Sequence, residues 1–181
     1  AMVVAMSRDI CARLYDAITA LRPDWHDPDI SKGAIKVVMT ASASDEPHLQ
    51  PHHTSKQQKK DLEKRFKDPA DPLKIVIVRD MWLTGFDAPC MATMYVDKPM
   101  KGANLAQAIA RVNRVFKDKP GGLIVDYIGI APQLKEALAT YTAAKGKGKP
   151  TLDTSEAVRI LKEQLQIAKD ILHPVDWSGF R

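Results

Sequence analysis

Five short runs of apolar and β-branched residues constrain the fold most strongly. Little polar alternation interrupts these runs, which is typical of strands covered on both faces of a sheet. Four segments with helical periodicity lie between and after them, and this alternation predicts an α/β fold with a parallel sheet between helices. The runs are MVVAM (2–6), IKVVMT (35–40), LKIVIV (73–78), ATMYVD (92–97) and GLIVDYIG (122–129), and the helical segments are 7–21, 55–67, 103–116 and 131–143.

Net charge indicates the kind of partner the protein could have, and its cysteines indicate the cellular compartment. The 181 residues carry a formal charge of +5 and are 45% hydrophobic, which suits a globular protein with a phosphate-rich partner without requiring one. Cys11 and Cys90 form no CxxC pair, so we expect two free thiols in a reducing, cytoplasmic compartment. No apolar run reaches the roughly 20 residues of a membrane span. The apolar start at residue 1 indicates a fragment.

The chain is predicted to contain one domain and an appended segment. Residues 1–144 hold the α/β pattern, and KGKGKP (145–150) is a Gly/Lys linker. An apolar stripe of helical spacing then follows within 153–172. This helix either docks on its own domain or begins a separate helical region. The polar loop 41–55 contains three histidines, but their spacing fits no closed zinc site, so we expect no metal there.

QAIARVNR (107–114) places three polar side chains on one helical face. At about 100° per residue, Gln107, Arg111 and Arg114 point to one side of the helix 103–116, and the apolar residues point to the other. An amphipathic helix needs a polar face in any case, so this segment alone does not define a site.

RDMWLTGFDAP (79–89) directly follows an apolar strand. In a parallel sheet, ligands bind at the carboxyl ends of the strands, and a glycine there lets the backbone approach a ligand. A carboxylate in such a loop can accept a hydrogen bond from a sugar hydroxyl. The alternative is a turn chosen for its geometry, with Asp87 capping its own backbone.

Taken together and in this order, these motifs resemble the second RecA-like domain of superfamily 2 helicases and translocases. More narrowly, DMWLTGFDAP, YVDKPM, NLAQAIARVNRVF and GGLIVDYIGI are similar to the motor (R) subunit of type I restriction endonucleases. The resemblance covers about residues 1–144. It implies a part in ATP-dependent translocation of double-stranded DNA that precedes cleavage.

The resemblance also implies residue roles in ATP binding. QAIARVNR matches motif VI, so Arg111 and Arg114 would act as arginine fingers on the γ-phosphate of ATP, with Gln107 as a hydrogen-bonding residue. RDMWLTGFD matches motif V, where Gly85 and Asp87 would reach the ribose of ATP. Asp80 would lie within reach of the motif VI arginines.

Further residues would contact the DNA backbone. Ser7 and Arg8, in a motif IV position, would bind phosphate at a helix N-terminus, and Thr40 would track the backbone from the next strand. Arg79 and Thr84 stand where the superfamily more often has threonine and arginine, and both are candidate DNA contacts.

No G-x-x-x-x-G-K-[ST] motif and no nuclease motif is recognisable in the chain. By the resemblance, the phosphate cradle, the Mg²⁺ site and the nuclease domain belong to an upstream part of the same subunit, and methyltransferase and specificity subunits complete the complex. We therefore expect no ATP hydrolysis by this chain alone. Two alternatives remain: a lobe of another superfamily 2 helicase or remodeller, or a non-enzymatic scaffold that binds DNA or protein.

Overall fold

The computed structural model describes residues 1–83, 85–100, 102–133, 135, 136 and 139. Its strands are β1 (Met2–Ala5), β2 (Ile35–Val38), β3 (Ile75–Val78), β4 (Thr93–Asp97) and β5 (Leu123–Asp126). Its α-helices are α1 (Arg8–Leu21), α2 (Lys56–Lys67) and α3 (Gly102–Val112), and two 3₁₀ turns span Pro23–Trp25 and Gln50–His52.

The five strands form one parallel sheet in the order β2-β3-β1-β4-β5. The first strand of the chain is therefore the central one, with Val3 opposite Ile77 on one side and Tyr95 on the other. All five apolar runs form strands, and the predicted α/β fold with a parallel sheet is confirmed.

Side chains alternate between two apolar cores, one on each face of the sheet. Met2 and Val4 of β1 join a core that also contains residues of α2 and α3. Ala5 joins a second core, in which Cys11 and Tyr15 of α1 pack on the opposite face. Because a strand turns successive side chains to opposite faces, a run with no polar alternation requires helices on both sides.

Serine caps fix where the first two helices begin. The Ser7 hydroxyl accepts a hydrogen bond from the Ile10 amide over 3.1 Å at the start of α1. Ser55 and Gln58 form a reciprocal capping box at the start of α2. Each cap satisfies backbone donors that the first helical turn leaves without a partner.

The third helix is shorter than its periodicity predicts. The sequence predicted a helix over 103–116, but α3 ends at Val112. Beyond it, the Arg114 amide bonds to the Val112 carbonyl, and Phe116 pairs with Lys119 in an isolated bridge. The chain must turn here to reach β5, and this turn ends the helix before Arg114.

Several predictions fall outside the described residues. These are Thr84, most of the predicted helix 131–143, the linker at 145–150 and the C-terminal helix within 153–172. The chain divides into two units, Ala1–Ala143 and Ala144–Arg181. The strands and helices given above belong to the first unit. Within the described ranges, no helix has the length and apolar character needed to cross a membrane.

Candidate functional site

Polar residues that follow four different strands meet at one edge of the sheet. All strands are parallel, so the segments after β1, β2, β3 and β4 leave the sheet at the same edge. There the Arg8 guanidinium donates to the Thr40 carbonyl over 2.9 Å, and the Arg79 Nε donates to the Met6 carbonyl over 3.3 Å. The name carboxyl-edge cluster is used below for Ser7, Arg8, Thr40, Arg79, Asp80 and Lys98.

The basic residue at the start of α1 is held by a carboxylate from the loop 41–55. Arg8 Nη1 lies 2.6 Å from Asp45 Oδ2, which also accepts from the Ser42 amide and lies 3.0 Å from His53 Nε2. The hydrogen bond from Arg8 is the main reason that the pKa of Asp45 lies below its usual value. The predicted phosphate site on Arg8 thus has an internal anion as its partner.

At the other side of the carboxyl-edge cluster, Lys98 connects two strands. Its ammonium forms an ion pair with Asp80 and donates to the Arg79 carbonyl over 3.2 Å. Arg79 Nη1 also lies 3.2 Å from Asp80 Oδ2, and its side chain is about half exposed. The ion pairs of Asp80 within the described residues are with Lys98 and Arg79, and its expected reach to the motif VI arginines stays a prediction.

The motif V segment is anchored in the core by its aromatic and apolar residues. Leu83 and Phe86 are buried, and the rings of Trp82 and Phe86 stack with centroids 4.5 Å apart. Trp82 and Gly85 both adopt positive φ, at 67° and 68°. A Cβ on Gly85 would meet nothing within 4 Å, so its backbone borders open space that a ligand could enter.

The two motif VI arginines lie in the last turn of α3 and just beyond its end, and the second of them contacts Asp87. Arg114 Nη1 donates to Asp87 Oδ2 over 2.7 Å. Two buried atoms, Asp87 Oδ1 and Arg111 Nε, have no hydrogen-bond partner within the described part of the chain. The name arginine cluster is used below for Asp87, Arg111 and Arg114. Gln107, one turn earlier on α3, is exposed.

The arginine cluster and the carboxyl-edge cluster lie on different parts of the domain. Because β4 and β5 are parallel, α3 must run from the carboxyl edge of the sheet back to the opposite edge. The Lys119 ammonium confirms this path, since it donates to the carbonyls of Met91, before β4, and Val112, at the end of α3. Motif V therefore begins at the carboxyl edge with Arg79 and Asp80 and reaches the arginine cluster with Asp87.

Two residues that the sequence analysis left without a role take part in these contacts. Lys98 directly follows β4, which ends at Asp97, and Arg79 directly follows β3, which ends at Val78. Because both residues occupy the first position after a strand, the sequence could have placed Lys98 beside Arg79. Asp45 lies in an irregular loop 37 residues from Arg8, so no periodicity could connect the two.

Metal-binding and cysteine chemistry have little support in this part of the chain. The described residues contain no group of three or more His, Cys, Asp or Glu side chains arranged to hold a metal ion. Cys11 and Cys90 are both free, as predicted. Burial raises the pKa of the Cys11 thiol to about 11, which keeps it in the unreactive protonated form at neutral pH.

A parallel α/β sheet with polar residues at the carboxyl ends of its strands defines a ligand-binding domain of the open, wound type. Its family follows from comparison with known proteins: the family described as type I restriction enzyme subunit R domain 3 matches residues 4–129. The chain belongs to this family.

Individual relatives agree with the family. The chain is 59% identical over 184 residues to the HindI type I restriction enzyme endonuclease subunit of Haemophilus influenzae, covering 99% of this chain and 17% of the relative. A second relative is the Methanocaldococcus jannaschii protein named as the MjaIXP type I restriction enzyme endonuclease subunit. It is 49% identical to this chain, and the match covers 92% of this chain and 15% of that protein. The chain thus spans less than a fifth of the length of these relatives.

Proposed function

We propose that this chain is the second RecA-like lobe of the motor in a type I restriction enzyme R subunit. In that role it takes part in ATP-dependent translocation of double-stranded DNA before the DNA is cleaved. Family membership and the parallel α/β fold support the proposal. The observation that carries it is the arginine cluster, where Arg114 is held 2.7 Å from Asp87 beside an Arg111 with an unsatisfied Nε.

The arginine cluster fits a nucleotide that another lobe would bind. Its unpaired buried atoms are one acceptor, on Asp87, and one donor, on Arg111, which match a ribose hydroxyl and a phosphate oxygen. The open space beside the Gly85 backbone would admit the sugar. When bound, ATP with Mg²⁺ supplies the γ-phosphoryl group whose transfer to water drives the motor.

The residues of this chain would then stabilise charge on the phosphoryl group and help to position the nucleotide. Arg111 and Arg114 would stabilise the charge that develops on the phosphoryl oxygens, since guanidinium is permanently ionised and donates in a planar fork. Arg114 would exchange the Asp87 carboxylate for that phosphate. Gln107 is exposed on the same helix and would donate to the nucleotide from one turn away.

The carboxyl-edge cluster would contact the DNA backbone. Ser7, Arg8, Thr40 and Arg79 lie at one edge of the sheet, where helix α1 also presents its N-terminus. Contacts to phosphate carry no sequence information, which suits a motor that must move along any sequence. Thr84 remains a predicted contact.

The rest of the machine belongs to other parts of the complex in this proposal. The upstream RecA-like lobe would bind most of the ATP and Mg²⁺, and an upstream nuclease domain would cut. Methyltransferase and specificity subunits would recognise the DNA site, in the cytoplasm. Accordingly, we expect the isolated chain to hydrolyse no ATP, with or without DNA, in a phosphate-release assay.

The test is Arg114→Ala in the full R subunit assembled with its partners. We expect DNA-stimulated ATP hydrolysis to fall by roughly 10³-fold or more and translocation to stop, with DNA affinity retained. Arg13→Ala is the matched control, because Arg13 is also an exposed arginine paired with a carboxylate, Asp9. The control should keep full activity.

Other outcomes separate the alternatives. Full ATP hydrolysis by the Arg114→Ala and Arg111→Ala enzymes, together with DNA binding that depends steeply on salt, would favour a non-enzymatic scaffold. Separation of DNA strands by the wild-type complex would favour a helicase over a duplex translocase.

A further inference from the structure

A cavity of about 260 Å³ lies beside the outer edge strand β2, away from the carboxyl-edge cluster and the arginine cluster. Helix α1, the loop after the first 3₁₀ turn, β2 and the second 3₁₀ turn all contribute to its walls. Its volume approaches the lower end of the range for small-molecule sites. Val37, Ile30, Pro28 and Pro51 supply an apolar wall.

One wall of the cavity carries a buried lysine, Lys36, whose ammonium forms no ion pair with any described residue. Lys36 is 6% exposed, and its ammonium donates to the carbonyls of Asp27 and Asp29 over 2.5 and 2.8 Å. An ammonium has three N–H donors, so one is left over. No carboxylate of the described residues lies within ion-pair distance of it. Burial lowers the pKa of Lys36, as expected for a charge that would gain from an anion.

The cavity also contains an unsatisfied hydroxyl and two imidazoles. Thr54 Oγ1 is buried and has no hydrogen-bond partner among the residues that the structure describes. The Tyr15 hydroxyl lies 2.7 Å from His26 Nδ1, and the His52 ring packs edge-on against Tyr15 at 4.8 Å. A buried polar atom without a partner is uncommon and often marks a water or ligand position.

We propose that this cavity binds a small organic anion. A carboxylate or phosphate group would accept hydrogen bonds from the Lys36 ammonium and the Thr54 hydroxyl, and a short apolar part would contact Val37 and Ile30. The Lys36 ammonium and the Thr54 hydroxyl favour an anion over a neutral molecule of the same shape. This inference does not depend on the proposed motor function.

The test is an NMR titration of the full chain that follows the ring signals of His52 and His26. The probes are butyrate, ethyl phosphate and butanamide, the last being a neutral analogue of butyrate. We expect both anions to shift the His52 signals in a saturable manner, and butanamide to bind at least about tenfold more weakly, since hydrogen bonds to charged groups contribute about 1.5–3 kcal/mol.

Two variants assign the effect to the cavity. Lys36→Met keeps side-chain length and removes the charge, and Thr54→Val keeps shape and removes the hydroxyl. Each should weaken anion binding by about tenfold or more. Lys74→Met is the control, because Lys74 is another lysine that donates to a backbone carbonyl but lies outside the cavity.

If Lys36→Met fails to fold, Thr54→Val alone decides the matter. Unchanged binding of the anions to a folded Thr54→Val protein would overturn the proposal. So would the absence of saturable His52 shifts with either anion, or equal binding of butyrate and butanamide. Any of these results would mean that the cavity holds water and is not an anion site.

Discussion

Arg114 and Asp87 form an ion pair of 2.7 Å between the turn after α3 and the motif V segment. The two residues are 27 positions apart in sequence, and both were assigned from the resemblance to separate contacts with ATP. Their direct contact means that the arginine has a defined position before any nucleotide is present. In the proposed mechanism nucleotide binding must break this pair, because Arg114 exchanges the carboxylate for a phosphate.

The Arg114–Asp87 pair should contribute little to stability. Both side chains are nearly half exposed, so solvent screens their attraction. A double-mutant cycle of Arg114→Ala and Asp87→Ala, measured by urea unfolding of this chain, should give a coupling energy of about 1 kcal/mol or less. A coupling of several kcal/mol would mean that the pair is a structural element rather than an exchangeable contact.

Gly122 should be intolerant of any side chain. A Cβ at this position would lie 2.2 Å from Val112 Cγ1 and 2.3 Å from the Val112 carbonyl oxygen, so the end of α3 would have to move. We expect Gly122→Ala to lower the free energy of unfolding by about 2 kcal/mol or more. It should also move the arginines, which would appear as lost ATP hydrolysis in the full subunit.

Gly121→Ala is the matched control for that substitution. A Cβ there would approach only the Asn113 side-chain oxygen, at 3.0 Å, and this atom can rotate away. The change in unfolding free energy should stay within about 0.5 kcal/mol. Equal destabilisation by the two substitutions would show that the contact with Val112 does not fix the helix end.

The cap at Ser7 should stabilise the fold by a measurable amount whether or not DNA is bound. Ser7→Ala removes the acceptor for the Ile10 amide, so we expect a loss of about 1 kcal/mol in unfolding free energy. Ser7→Gly should cost only a few tenths of that amount. If Ser7→Gly also weakens DNA binding by the full complex, the hydroxyl contacts phosphate in addition to capping the helix.

The Arg8–Asp45 contact should make stability depend on pH in the acidic range. The pKa of Asp45 is lower in the folded state than its ordinary value near 4, so the carboxylate stabilises the fold above that value. This contribution should decline as the pH falls below about 4 and through the lowered folded pKa. Unfolding of wild type and Asp45→Asn between pH 3 and pH 7 measures it: the two curves should converge at the acidic end.

Asp45→Asn also tests whether the loop 41–55 competes with DNA. Removing the charge should free Arg8 and strengthen DNA binding by the full complex at low salt, because the guanidinium loses its internal anion. Weaker binding would show instead that Asp45 positions Arg8 for the phosphate.

The strands were predictable because burial on both faces requires apolar residues at every position, as in Ile75–Val78. The start of α1 was predictable because Ser7 is a strong local cap. The end of α3 was not, since the apolar pattern continues through Phe116 while the turn toward β5 depends on packing at Val112.

Within the candidate site, sequence could assign residue types but not their partners. Arg8 has Asp45 as its partner and Asp80 has Lys98, and each pair joins segments that no local pattern connects. Trp82 packs on Phe86 because both belong to one short segment whose apolar residues must reach the same core.

The central position of β1 has a consequence for how the chain folds. Met2–Ala5 pairs only with strands that begin 73 and 91 residues later, at Ile75 and Thr93. During synthesis one edge of β1 therefore stays unpaired until β3 is made, and the other edge until β4 is made. Long-range pairing of this kind slows folding. It also leaves an apolar strand with unpaired backbone groups exposed to other chains, so co-translational aggregation would begin at this segment.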